Sequence, residues 1–107
     1  MSVIEDKFNI LSWLEKNTSE IDKTEVKKIL ENFNRFGSVY SNNKVPRRKI
    51  KYLRDKIFEI KQGQIRIAYS WLGSHCYLLH VIKKKKNKWD EKDIKIAKKR
   101  QKLVLNP

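Results

Sequence analysis

The residue types best suited to chemistry lie in one stretch, Lys56 to Lys86, which reads KIFEIKQGQIRIAYSWLGSHCYLLHVIKKKK. Arg66 comes first among them. From Gln64 to Trp71 apolar positions alternate, so Ile65, Ile67, Tyr69 and Trp71 share one face of a strand. Gln64, Arg66, Ala68 and Ser70 share the other. That pattern fits a half-buried strand with Arg66 on its polar face, where a planar guanidinium can grip phosphate oxygens at two points. The plainer alternative is an exposed arginine paired with Glu59 on the neighbouring strand. Lys83, Lys84 and Lys86 come next. Crowded ammonium groups repel one another, which favours proton loss and makes a lysine in such a run a usable acid or base. For any single lysine a solvated charge run explains as much, whereas for the whole cluster contact with a polyanion explains more. Lys85 and Lys88 extend the run, Lys61 ends the preceding hairpin strand, and Arg47 and Arg48 form a basic cluster upstream. These five are candidates for binding.

His80 carries the side chain that exchanges a proton most readily near neutral pH, so it is a candidate acid or base. Its neighbours Leu78, Leu79, Val81 and Ile82 suit a buried structural histidine better. His75, in a turn, is the weaker histidine. Tyr69 and Trp89 have rings that stack on bases, but the first shares its face with Ile65 and Ile67, and the second can staple a helix. Cys76 reads as structural.

These groups need elements to hold them. Ser2 and Glu5 have capping-box spacing, which predicts a helix from the start of the chain with Ile4, Phe8, Leu11 and Leu14 on its core face. A second helix is expected from Asp22 as cap, with Ile21 stapled onto Val26, an apolar stripe of Val26, Ile29, Leu30 and Phe33, and Gly37 at its end. The two should form an antiparallel pair. Pro46 and Ser41-Asn42-Asn43 mark residues 37–49 as a connection. Ile50 to Leu53 reads as a short edge strand, and Ile57–Lys61 and Gln64–Trp71 as a hairpin turning at Gln62-Gly63. Cys76 to Ile82 is apolar on both faces, the mark of a covered strand. Trp89-Asp90 opens a last helix with a thin apolar face (Ile94, Ala97, with Leu103 and Val104) and six basic residues between Lys92 and Lys102. The fold class is α+β in one domain spanning 1–107: a helical pair on a small three- to four-stranded antiparallel sheet, then a basic C-terminal helix.

The bulk properties agree. The net charge is +14, and its placement is uneven. Residues 1–43 hold six basic and seven acidic side chains, whereas residues 44–107 hold twenty and five. A polyanionic partner, nucleic acid or acidic protein, is favoured over a membrane surface. No apolar run is long enough to span a bilayer. One Cys and two His offer neither a disulfide nor a metal-ligand set. No cofactor is expected, and the start of the chain, MSVIEDKFN, lacks a signal-peptide core, so a cytoplasmic location is expected.

The ordered segments LRDKIFEIK, QIRIAYS, CYLLHVIKKKK and DIKIAKKRQKL, over roughly residues 50–103, resemble the HigB-like toxins, including phage-derived members, of the RelE/ParE superfamily. The resemblance implies a type II toxin that cleaves mRNA, usually on the ribosome, without metal. It also implies neutralisation by a cognate antitoxin, commonly a helix-turn-helix DNA-binding protein. Arg66 matches the arginine that RelE-type toxins aim at the scissile phosphate. Members often begin with a strand before the first helix, whereas here only Met1 to Ile4 precede the helical pattern. After the apolar strand the family favours His-x-Phe-x-Lys-Lys-Thr, and here Ile82 stands for Phe and Lys85 for Thr.

Metal-free cleavage has the RNA 2′-OH attack its own phosphate, which requires alignment, proton transfer and stabilisation of added charge. Arg66, Lys83, Lys84 and Lys86 are the catalytic candidates, with His80 as a further acid or base. Two rivals stand beside the endoribonuclease: a ParE-like inhibitor of gyrase, and a basic nucleic-acid-binding protein without catalysis.

Overall fold

Alternating apolar residues and tight turns build most of this molecule. The computed structural model describes residues 3–38, 49–83 and 88–105. In chain order it contains β1 (Ile4–Glu5), α1 (Ile10–Asn17), α2 (Glu20–Phe36), β2 (Ile50–Arg54), β3 (Ile57–Gln62), β4 (Ile65–Leu72), β5 (His75–Lys83) and α3 (Glu91–Leu105). The strands form one five-stranded sheet in the order β1-β5-β4-β3-β2. Hairpins make β2 through β5 antiparallel, while β1 joins β5 in parallel, Ile4 opposite Cys76. The expected α+β plan, with a helical pair on the sheet and a basic last helix, is present, but the sheet has five strands rather than three or four, and β1 makes it mixed rather than wholly antiparallel.

Both faces of the sheet are covered. On one, Ile10 and Leu14 of α1 and Val26, Ile29, Leu30 and Phe33 of α2 pack against Ile60, Ile65, Ile67, Tyr69, Cys76, Leu78 and Val81. Phe33 sits at its centre, with its ring 5.3 Å from Tyr69 and 5.5 Å from Trp71. On the other face, Trp89 and the α3 residues Ile94, Ala97 and Val104 cover Ile57, Ala68 and Leu79. A fully buried side chain of this size contributes about 1.5–3 kcal/mol, so the first face carries most of the hydrophobic stabilisation.

Five further expectations change. The helix does not start at Ser2, because Ile4 and Glu5 pair with β5 as the strand the family pattern calls for. The Asp6 carboxylate instead caps α1, accepting from the backbone N–H of Ile10 at 2.8 Å and of Leu11 at 3.0 Å. The cap of α2 is Ser19, whose hydroxyl accepts from Asp22 N–H, and Ile21 is exposed rather than stapled. Asp22 is used elsewhere: it accepts from Gln62 Nε2 at 3.0 Å and ties α2 to the β3–β4 hairpin. Strand β4 is buried on both faces, not half-buried, because α3 lies over its polar side. Leu103 faces outward, while Val104 is buried.

Candidate functional site

The α3 side of the sheet is where polar chemistry collects. Glu59, Arg66, Ser70 and Gln101 are the buried polar or charged residues among those described, and all lie on this side. Alternation along β3 and β4 puts Lys61 beside Arg66 and Glu59 beside Ala68 in cross-strand pairs, so these side chains share the α3 face.

Arg66 is on the expected face but only 5% exposed. Its Nη1 donates to the carbonyl of Gly63 at 2.6 Å and to its own strand at Ile65 O, 2.9 Å. Its Nε lies 3.9 Å from Glu59 Oε1, which accepts the Trp89 indole N–H at 2.6 Å. Thus the Glu59 pairing weighed for this arginine exists, but as an interior pair. A buried charge needs its partner close and its hydrogen bonds made, and here Trp89 and the hairpin carbonyls make them.

Lys61 is half-buried next to Arg66, and Lys83 is exposed opposite Ile65, one register step from Arg66 and on the other face. Lys88 is exposed just before α3. Arg47, Arg48, Lys84, Lys85 and Lys86 lie outside the described residues. Beside the Glu59–Trp89 pair, Lys51, Leu53, Arg54, Lys88, Trp89, Glu91 and Ile94 line a hollow of about 530 Å³. Arg54 Nη2 donates to both carboxylate oxygens of Glu91 at 2.9 Å. Its lining brings three basic side chains, Lys51, Arg54 and Lys88, together with the Trp89 ring.

His80 gains a partner that the sequence reading did not supply. Its Nε2 is 2.8 Å from Asp93 Oδ1 on α3, with both side chains mostly buried. A carboxylate only accepts, so Nε2 carries the hydrogen in this contact. On the ring's other side, Arg100 Nη1 stands 3.5 Å from Nδ1 and donates to Leu79 O at 2.9 Å. The Arg100 guanidinium also lies over the Phe8 ring, 4.9 Å from its centroid. A bulge makes this possible. The β4 partner of Ala68 is His80 and that of Tyr69 is Leu78, so Leu79 has no opposite number and joins His80 on the α3 side.

The remaining assignments are simpler. Tyr69 and Cys76 are wholly buried, and burial pushes the Cys76 thiol far above its ordinary value. His75 sits at the start of β5, 3.2 Å from Glu5 on β1. Trp89 is buried, its indole N–H committed to Glu59, and packs in one cluster with Ile94. Among the described residues no three or more His, Cys, Asp or Glu are grouped to hold a metal ion, and no helix is long and apolar enough to cross a membrane.

Asp93 and Arg100 were missed in the sequence, although a signal was present. Residues 93, 97, 100 and 104 repeat at helical spacing, so both flank the buried stripe of Ala97 and Val104 and look toward the sheet.

Residues 19–102 match the family described as Phage derived protein Gp49-like (DUF891). The chain belongs to this family. It is a RelE/HigB-like toxin family of toxin–antitoxin systems, which agrees with the broader resemblance. No curated protein matches the chain. Membership spans α2, the whole of β2 to β5 and most of α3, and therefore the whole polar strip on the α3 side: Glu59, Lys61, Arg66, Ser70 and His80 of the sheet with Asp93, Arg100 and Gln101 of the helix.

Proposed function

We propose that this Gp49-like chain is the toxin of a type II toxin–antitoxin pair and acts as an endoribonuclease on ribosome-bound mRNA. The observation that supports this reading is the sharing of one sheet face by Lys61, Arg66 and His80, near the β5 exit into the lysine run. In the reaction the RNA 2′-OH attacks the adjacent phosphorus and the 5′-oxygen leaves, giving a 2′,3′-cyclic phosphate. Arg66 would offset the charge added to the phosphate, and Lys61, its cross-strand partner on the same face, would add its own positive charge; Lys83, Lys84 and Lys86 remain candidates from the sequence. His80, held by Asp93, is the candidate for moving a proton. The cognate partner in this reading is a helix-turn-helix antitoxin, and the site of action is the cytoplasm.

One observation favours the binding-only alternative. Arg66 is enclosed and already bonded to Gly63, Ile65 and Glu59, so reaching a phosphate requires those bonds to exchange.

The test must separate loss of chemistry from loss of fold. Truncating Arg66 alone strands the Glu59 carboxylate, so a Glu59→Gln, Arg66→Gln double variant is the better probe. Induced expression of the unaltered chain should arrest growth and create new mRNA 5′ ends. The double variant should stay folded and create none. Arrest with intact mRNA and damaged DNA would point to gyrase, and no arrest would remove the toxin reading.

A further inference from the structure

The outer side of α3 bears a feature unrelated to the polar strip. Its buried residues are Ile94, Ala97, Gln101 and Val104. Two positions before each stands a lysine: Lys92, Lys95, Lys99 and Lys102. Two helical residues turn the side chain by about 200°, so the lysines form a stripe diametrically opposite the buried one. All four are exposed. At about 1.5 Å per residue the stripe is about 15 Å long, enough to face several consecutive phosphates of one strand.

Acidic side chains nearby do not neutralise it. Glu91 is held by Arg54, Asp93 by His80, and Asp55 by Lys98. Among the described residues none of the four lysines is joined to a carboxylate. The N-terminal helices differ: there Lys23, Lys27 and Lys28 are paired with Glu15, Glu20 or Glu25. Like charges three and four residues apart repel along a helix, and the fold draws no contact in return. A regular, unneutralised row of cations fits a polyphosphate backbone better than an acidic peptide, whose carboxylates would find no apolar seam between these lysines.

We propose that the outer face of α3 is an RNA-backbone docking track, formed by Lys92, Lys95, Lys99 and Lys102 and separate from any reacting groups beneath the helix. It would take RNA without regard to sequence. It holds the chain on RNA whether or not that RNA is cut.

The test uses the purified full chain and a 2′-O-methyl RNA oligonucleotide, which lacks the attacking hydroxyl, so binding is read independently of cleavage. Dissociation constants are measured across a salt series. Changing all four lysines to Gln should reduce the slope of log affinity against log salt by about 3 and weaken binding about tenfold or more at 0.1 M salt. Changing all four to Arg should preserve both. A control with Lys7, Lys16, Lys27 and Lys28 changed to Gln removes the same charge from another surface and should alter the slope far less. Circular dichroism confirms that each variant is folded. An unchanged slope in the α3 variant overturns the proposal, as does an equal effect in the control, which would mean net charge alone. Loss of binding to a polyglutamate chain with RNA binding intact would also overturn it in favour of an acidic protein partner. Because the oligonucleotide cannot be cut, failure of the nuclease reading leaves this outcome unaffected.

Discussion

The two faces of the sheet are built from different materials. Beneath α1 and α2 the contact is hydrocarbon and aromatic ring, with Phe33, Ile60, Ile67, Tyr69 and Leu78 fully buried. Beneath α3 the same strands offer Ile57, Ala68 and Leu79, but also Glu59, Arg66 and Ser70, and α3 answers with Gln101. Gln101 Nε2 donates to Asp55 O at 2.7 Å and to Ser70 Oγ at 3.1 Å, while Ser70 donates to Lys56 O at 2.7 Å. Polar groups at this depth contribute little net stability compared with well-packed hydrocarbon of equal size. One face therefore secures the fold, and the other holds ionisable groups in fixed positions. The difference gathers the buried ionisable groups on the α3 side.

The contrast can be broken first on its apolar side. Phe33→Ala should cost about 3–5 kcal/mol, since a ring among Tyr69 and Trp71 leaves a cavity the sheet cannot collapse into. Urea denaturation measures this, and a loss below about 1 kcal/mol would mean that the helical pair is not the principal support. On the polar side, Arg66→Ala should cost about 3 kcal/mol by leaving Glu59 buried and uncompensated. Combining it with Glu59→Gln should recover at least about 1 kcal/mol, so a cycle with strictly additive losses would refute the coupling. The smallest effect is expected at the partly exposed end. Asp93→Asn should lower stability by about 1 kcal/mol, discounted for solvent access at the His80 contact. Urea denaturation measures this too, and an unchanged midpoint would show that Asp93 does not hold the ring.

Much of the first face was legible in the sequence because it obeys simple periods. Ile65, Ile67, Tyr69 and Trp71 alternate, and Val26, Ile29, Leu30 and Phe33 recur at helical spacing, so both elements and their inward sides followed. The second face obeys a period too, but its residues are polar. Gln64, Arg66, Ala68 and Ser70 therefore read as solvent-facing until α3 is placed over them. Three features resisted for physical reasons. The strand at Ile4 and Glu5 is too short for any pattern and exists only through β5. The Leu79 bulge depends on pairing across two strands. Asp93 and Arg100 acquire meaning only when their helix lies across His80. The α1 start was misread because Asp6, which caps it, sits after a spurious Ser2–Glu5 capping box.

The parallel pairing of β1 has a consequence for how the chain matures during synthesis. Ile4 cannot be seated until Cys76 has been made, and the apolar stripes of α1 and α2 have no sheet to cover before β3 to β5 emerge. Elements made before β5 are thus among the last to be secured, an arrangement of long-range contacts that delays closure. The stretch that closes the sheet is the one that leads into the lysine run. Assembly of the polar strip and completion of the fold become a single late event, so a nascent fragment ending before β5 has neither.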